Sequence, residues 1–179
     1  MVASIIILVI VLILVIWYIS TMNGLRAAAL KVDEADSGID VALTKRYDVL
    51  TKQLDAVREY VTHETITLHD TIRMRSGMSL EEKTKASKKM NKIVKEIQVV
   101  AEAYPELKSS NNFVQLQEAI TDVEEHLQAA RRLYNANVTS YNTKIVMFPA
   151  SIVAGMLGMQ KRELFQAEDY KKEDVNIIL

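Results

Sequence analysis

The pattern of apolar and polar positions divides the chain into an apolar N-terminal run and a longer amphipathic remainder. The run from Val2 to Ile19 is apolar apart from Ser4. Its eighteen residues would rise about 27 Å as a helix, close to the bilayer hydrocarbon thickness of about 30 Å. Trp17 and Tyr18 stand at its end, where amphipathic rings favour the headgroup level. We therefore expect residues 1–22 to form a single transmembrane anchor, with lipid contacts at Val2, Ile5, Trp17, Tyr18 and Ile19.

A secretory signal peptide and a buried core helix are the alternatives for this run. A signal peptide has a basic start, a shorter apolar core and a small-residue cleavage site, and the run has none of these. No Lys or Arg precedes it, whereas Arg26, Lys31, Lys45 and Arg46 follow. The positive-inside rule then places the N-terminus outside and the rest of the protein in the cytoplasm, at the cell (inner) membrane.

The remainder carries three apolar stripes with helical spacing. The first runs from Val32 to Ile72 and predicts one long helix as far as Met74, with Gly38 as a weak point. The second follows a predicted capping box, Ser79 with Glu82, and is closed by Pro105, after which residues 106–110 are expected to form a turn. The third is capped by Asn111 or Asn112 and ended by Pro149.

These stripes predict an all-α fold: an N-terminal transmembrane helix, then a long antiparallel bundle of three long helices plus a short C-terminal helix. The expected domains are the anchor at 1–22, a cytoplasmic bundle at 23–167 and a flexible tail at 168–179. If the helices alternate in direction, the third helix runs away from the membrane.

Composition removes several classes of function. The 22 basic and 23 acidic residues nearly balance, so the protein has no net positive charge to attract nucleic acid, and the chain has no cysteine. His63 and His69 cannot share a metal on one helix face, and none of His63, His69 and His126 follows a glutamate by three residues. We find no phosphate loop or nucleophile motif, so we expect no enzyme, no metal and no cofactor.

Two polar features stand out. One is a cluster in which Tyr47 and Asp48 of the first helix are expected to meet Arg131 or Arg132 of the third. Its other members are Tyr134, Asn135, Tyr141 and Asn142. A structural role in fixing helix register is favoured over a ligand or partner site. The second feature is a lysine stripe of Lys85, Lys88, Lys92 and Lys95, for which a solvated face is favoured over lipid headgroup binding.

Several stretches between Leu25 and Phe165 resemble the LemA family of membrane-anchored bacterial helical proteins. They include Val32-Asp33-Glu34-Ala35, Arg46-Tyr47-Asp48, Tyr104-Pro105-Glu106-Leu107-Lys108, Tyr134-Asn135, Tyr141-Asn142, Phe148-Pro149 and Ile152-Val153-Ala154-Gly155. The resemblance implies an N-terminal anchor and a cytoplasmic antiparallel bundle, and it implies little chemistry.

The sequence therefore predicts a non-enzymatic, single-pass membrane protein whose bundle self-associates into a scaffold. The alternative is an envelope-stress or signalling adaptor that binds a peptide, small molecule or partner protein. The expected partners are the lipid bilayer, further copies of the chain and a possible protein, with no nucleic acid. The candidate oligomer contact is the short apolar element at Ile152, Val153, Met156 and Leu157.

Overall fold

The computed structural model describes residues 1–58 and 77–165, and over these ranges the regular secondary structure is entirely helical. The helices in the described ranges are α1 (Val2–Arg58), α2 (Leu80–Ala103), α3 (Pro105–Ser109), α4 (Asn111–Val146) and α5 (Ala150–Met156). The predicted all-α fold is confirmed. An apolar window of α1 near the N-terminus has a mean hydropathy of 3.2 and no buried residue, which makes α1 a candidate membrane span. The predicted continuation of the first helix to Met74 lies outside the described residues.

The helix boundaries follow from local chemistry. The capping box is confirmed: the Ser79 hydroxyl accepts from the Glu82 amide, and the Glu82 carboxylate accepts from the Ser79 amide. Pro105 ends α2 as predicted, but it also begins α3 where a turn was expected, because proline is well suited to the first position of a helix. The cap of α4 also differs from the prediction. Ser110 accepts the Phe113 amide, so neither asparagine is needed there.

The protein forms two compact units. Unit 1 contains Met1–Asp36 and Arg132–Leu164, which are the start of α1, the end of α4, and α5. Unit 2 contains the described residues between Ser37 and Arg131, together with Phe165.

Unit 2 has an apolar core drawn from α1, α2, α3 and α4. Its buried members include Leu50, Leu54, Val57, Met90, Ile93, Ile97, Leu107 and Phe113. Within this unit α2 runs in the same direction as α1, since Lys83 pairs with Asp40 and Asn91 with Arg46. The helix α4 runs against both, because Glu124 pairs with Arg46 whereas Gln117, two turns earlier on α4, shares a recess with Gln53, two turns later on α1. The expectation that the third helix runs in the direction of the first is therefore wrong.

Unit 1 pairs the start of α1 with the end of α4. Buried residues recur with helical spacing on both helices: Leu25, Ala28, Val32 and Ala35 on α1, and Tyr134, Val138, Tyr141 and Ile145 on α4. The Asn137 side-chain amide donates to the Lys31 carbonyl at 3.0 Å. After a cis Phe148–Pro149 peptide, α5 buries Val153 and Ala154. Gly158, at a φ of 63°, then turns the chain into a non-helical segment.

Candidate functional site

The centre of unit 2 is a charged layer built around Arg46. This residue is only 3% exposed. Its guanidinium lies 2.9 Å from the Glu124 carboxylate and donates to the Ser87 hydroxyl at 3.3 Å and to the Asn91 amide oxygen. Arg131 of α4 also donates to Ser87, at 2.5 Å, and lies over the Phe165 ring at 4.8 Å. The layer therefore ties α1, α2 and α4 together through side chains that are largely removed from water.

A second buried charged residue lies on α2, four residues before Ser87. Lys83 is fully buried, and its ammonium group lies 2.9 Å from the Asp40 carboxylate of α1. Breaking an ion pair of which one member is fully buried is costly, because the charges are poorly solvated there. The Lys83–Asp40 pair therefore fixes the relative register of α1 and α2 within unit 2.

An open groove of about 450 Å³ lies beside the charged layer. Arg46, Asn91 and Glu124 form one part of its lining, and Lys95, Gln98, Thr121 and Glu125 are among the other polar residues. Val94 and Ile120 supply apolar contacts. The volume is in the range of ligand sites, and the lining combines an apolar surface with polar groups of both charges.

The groove continues into a smaller recess of about 200 Å³, with which it shares Val94, Gln98, Ile120 and Thr121. Gln53 of α1 lines this recess and is 3% exposed. Its side-chain oxygen is buried and accepts no hydrogen bond from any residue of the described part of the chain. Buried polar groups are nearly always paired, because a buried acceptor without a donor loses free energy. Gln53 is thus an acceptor that a bound hydrogen-bond donor would satisfy.

The predicted polar cluster is divided between the two units. In unit 1, the Tyr134 hydroxyl donates to the Glu163 carbonyl at 3.0 Å and the Tyr141 hydroxyl to the Gln160 carbonyl at 3.1 Å. Asn142 bonds both the carbonyl and the amide of Arg162, at 2.8 and 2.9 Å. These side chains hold the non-helical segment that follows α5 against α4.

The other half of that cluster needs correction. Arg131 contacts Ser87 and Phe165. Tyr47 packs against the apolar core of unit 2. Asp48 and Arg132 are exposed, and Asn135 is half-buried. In the described part of the chain, Tyr47 on the core and the exposed Asp48 do not make the layer with Arg131 and Arg132 that was expected.

The lysine stripe and the remaining histidine are on the surface. Lys85, Lys88, Lys92 and Lys95 are all exposed. Lys85 lies 2.6 Å from Glu81, whose hydrogen bond raises the lysine pKa, and Lys92 lies 3.6 Å from Glu96. Exposed pairs of this kind contribute little stability. His126 is exposed, whereas His63 and His69 lie outside the described residues.

The candidate oligomer contact is partly enclosed by its own chain. Val153 is completely buried, so it offers no surface to a second copy. Ile152 and Met156 are exposed, and Leu157 is half-buried.

Sequence reasoning missed Arg46 and Lys83 because charged residues are expected on the surface. Both residues nevertheless occupy apolar stripe positions. Arg46 follows Leu43 by three residues and precedes Leu50 by four. This spacing was the available signal. Gln53 shows the same signal, since it follows Leu50 by three residues and precedes Val57 by four.

Comparison with known proteins gives one family and several relatives. The family model described as the LemA family matches residues 35–178. Protein LemA of Metamycoplasma hominis is 30% identical over 164 residues, which cover 89% of this chain and 75% of that protein. Magnetosome proteins MamQ 1 and MamQ 2 of Paramagnetospirillum magneticum are each 27% identical over 70 residues, covering 39% of this chain and 26% of each relative.

Proposed function

This chain belongs to the LemA family, and on that premise we propose that it is a non-enzymatic membrane-anchored adaptor. Its anchor is the apolar start of α1, and its helical part binds a peptide segment of a partner protein in the groove of unit 2. The domain faces the cytoplasm, with the N-terminus outside, in keeping with the positions of the first basic residues.

The observation that carries the proposal is the buried acceptor of Gln53. Peptide backbone offers N–H donors at regular intervals, so a bound segment can satisfy the Gln53 oxygen that has no protein donor within the described residues. The surrounding lining suits the same ligand. Val94 and Ile120 provide apolar contacts for side chains, and Gln98 provides both a donor and an acceptor for main-chain groups.

The charges around the groove favour a peptide over a strongly charged ligand. Lys95 and Glu125 carry opposite charges, and the Arg46 guanidinium already faces Glu124. A polyanion such as nucleic acid would need an excess of basic residues, whereas the chain has a net charge of −1.

Replacing Gln53 by leucine tests this proposal. Gln53→Leu removes an unsatisfied buried acceptor at nearly constant volume, so the protein without partner should gain stability, by about 1–3 kcal/mol. The measurement is thermal unfolding of the full-length protein in mild detergent, followed by circular dichroism. Gln115→Leu is the control, because Gln115 is exposed on α4 and its loss should leave the midpoint within error. A clear loss of stability for Gln53→Leu would mean that the oxygen is already satisfied, which would contradict the proposal.

Self-association into a scaffold is the second candidate function. It is favoured by two exposed apolar side chains in unit 2, Val99 of α2 and Val114 of α4. The assembly mass of the full-length protein in nanodiscs or detergent tests it. A Val99→Lys, Val114→Lys variant should fall to a smaller assembly while its helical content stays the same. An unchanged mass, or a wild-type protein that is already monomeric, would contradict this candidate.

A further inference from the structure

The end of α4 and the following α5 carry a cluster of exposed apolar side chains within unit 1. Phe148 is 81% exposed and Met156 is 71% exposed, and Val146, Met147 and Ile152 are also exposed. We refer to these five residues as the apolar end cluster. Isolated exposed apolar residues are ordinary, but five of them within eleven residues of the sequence favour a contact surface.

The sequence around the cluster has the charge pattern of an interfacial segment. Residues 145–160 contain no charged side chain, and the segment is flanked by Lys144 on one side and Lys161 and Arg162 on the other. Long basic side chains at the edges of an apolar segment can extend to the polar headgroups while their stems lie on apolar surface.

The pairing of α4 with α1 shows which part of α1 lies beside the apolar end cluster. Asn137 bonds the Lys31 carbonyl, and the buried stripes of the two helices match when they are paired in opposite directions. Nine residues from that hydrogen bond, about 14 Å along each helix, α1 reaches Met22 and α4 reaches Val146. Burial along α1 agrees with this register. Residues 1–16 are all exposed, and partial burial begins at Trp17 and Tyr18.

Met22 lies three residues, about 5 Å, beyond Ile19, the last residue of the apolar run. In a membrane-spanning α1, Trp17 and Tyr18 lie at the headgroup level, so the apolar end cluster lies at the same boundary. Apolar side chains at this depth are removed from water by entering the boundary between headgroups and acyl chains.

We propose that the apolar end cluster, led by Phe148 and Met156, inserts into the lipid headgroup region beside the anchor and forms a second contact with the bilayer. Val153 and Ala154 hold α5 on its own chain, while Ile152 and Met156, four residues apart, share the exposed face that enters the lipid. The proposal rests on α1 spanning the membrane, and it is independent of the peptide groove.

The absence of cysteine in the chain allows a direct test by site-directed spin labelling. Full-length Phe148→Cys and Met156→Cys variants are labelled with a nitroxide and reconstituted in phosphatidylcholine–phosphatidylglycerol liposomes. Power saturation then measures the accessibility of each label to oxygen, which concentrates in lipid, and to a water-soluble nickel complex. Ile10→Cys serves as the lipid reference and Lys45→Cys, exposed in unit 2, as the water reference.

The labels at Phe148 and Met156 should resemble the one at Ile10, with oxygen more accessible than nickel, and the label at Lys45 should show the reverse. Nickel accessibility equal to that of Lys45 would overturn the proposal. Low accessibility to both reagents would also overturn it, because the labels would then be covered by protein. In that case, spectral broadening of the nitroxide that grows with protein density in the liposomes would identify a second copy of the chain as the neighbour. A water-like signal at Ile10 would overturn the premise of the anchor itself.

Discussion

The buried Arg46 gives a prediction whose size can be worked out from its contacts. Arg46→Met keeps most of the aliphatic volume but removes the donors to Ser87, Asn91 and Glu124. Removing one partner of a buried ion pair typically costs about 3–5 kcal/mol, because the remaining charge stays poorly solvated. The Glu124 side chain is 27% exposed, so water partly compensates it, and we expect a loss near the lower end, about 3 kcal/mol.

For a chain of this size, a loss of that magnitude lowers the unfolding midpoint by about 6–12 °C. The assay is thermal unfolding of the full-length protein in mild detergent, with Lys45→Met as control, since Lys45 is the exposed neighbour on α1. The double variant Arg46→Met, Glu124→Met should lose less than the sum of the two single variants, because it leaves no charge stranded. A midpoint for Arg46→Met equal to that of Lys45→Met, or additive losses in the double variant, would refute this account of the charged layer.

Three further predictions concern packing, the backbone and topology. Leu127→Ala should lower the free energy of unfolding by about 2–5 kcal/mol, because Leu127 is fully buried. The adjacent His126→Ala should change it by less than about 0.5 kcal/mol, because His126 is exposed. Equal midpoints of the two variants in denaturant unfolding would contradict the assigned face of α4. Gly38→Ala should raise the free energy of unfolding by about 0.5–1 kcal/mol in the same assay, because alanine favours the helix and the added methyl group meets no atom within 4 Å. A lower free energy of unfolding would mean that α1 needs the glycine. An impermeant maleimide added to intact cells should label a cysteine at Val2 and miss one at Lys108, and the opposite pattern would reverse the topology.

The apolar N-terminal helix, the helical class and several boundaries could be predicted because each depends on local sequence. The Ser79 capping box and the stop at Pro105 are examples, since both act within a few residues along the chain. The apolar spacing also identified the buried face of the third helix, where Leu127 and Tyr134 are indeed buried.

The direction of α4 and the charged layer could not be predicted, because both depend on pairings distant in sequence. An apolar stripe shows that a helix face is buried but leaves open which helix covers it and in which direction. Arg46 needed Glu124 of α4 to be stable inside the protein, and nothing local to Arg46 reveals that partner. The recess at Gln53 likewise arises only when α1, α2 and α4 come together.

Peptide binding in the groove is tested most directly by photo-crosslinking in living cells. A benzoylphenylalanine at Thr121, which lines both the groove and its recess, should crosslink to one segment of a partner protein, identified by mass spectrometry. The same group at the adjacent, exposed Asp122 should give no such product, and Gln53→Leu should reduce the Thr121 product while the variant remains folded in the membrane. Equal products at Thr121 and Asp122, or a Thr121 product unaffected by Gln53→Leu, would contradict the claim that this groove binds the partner.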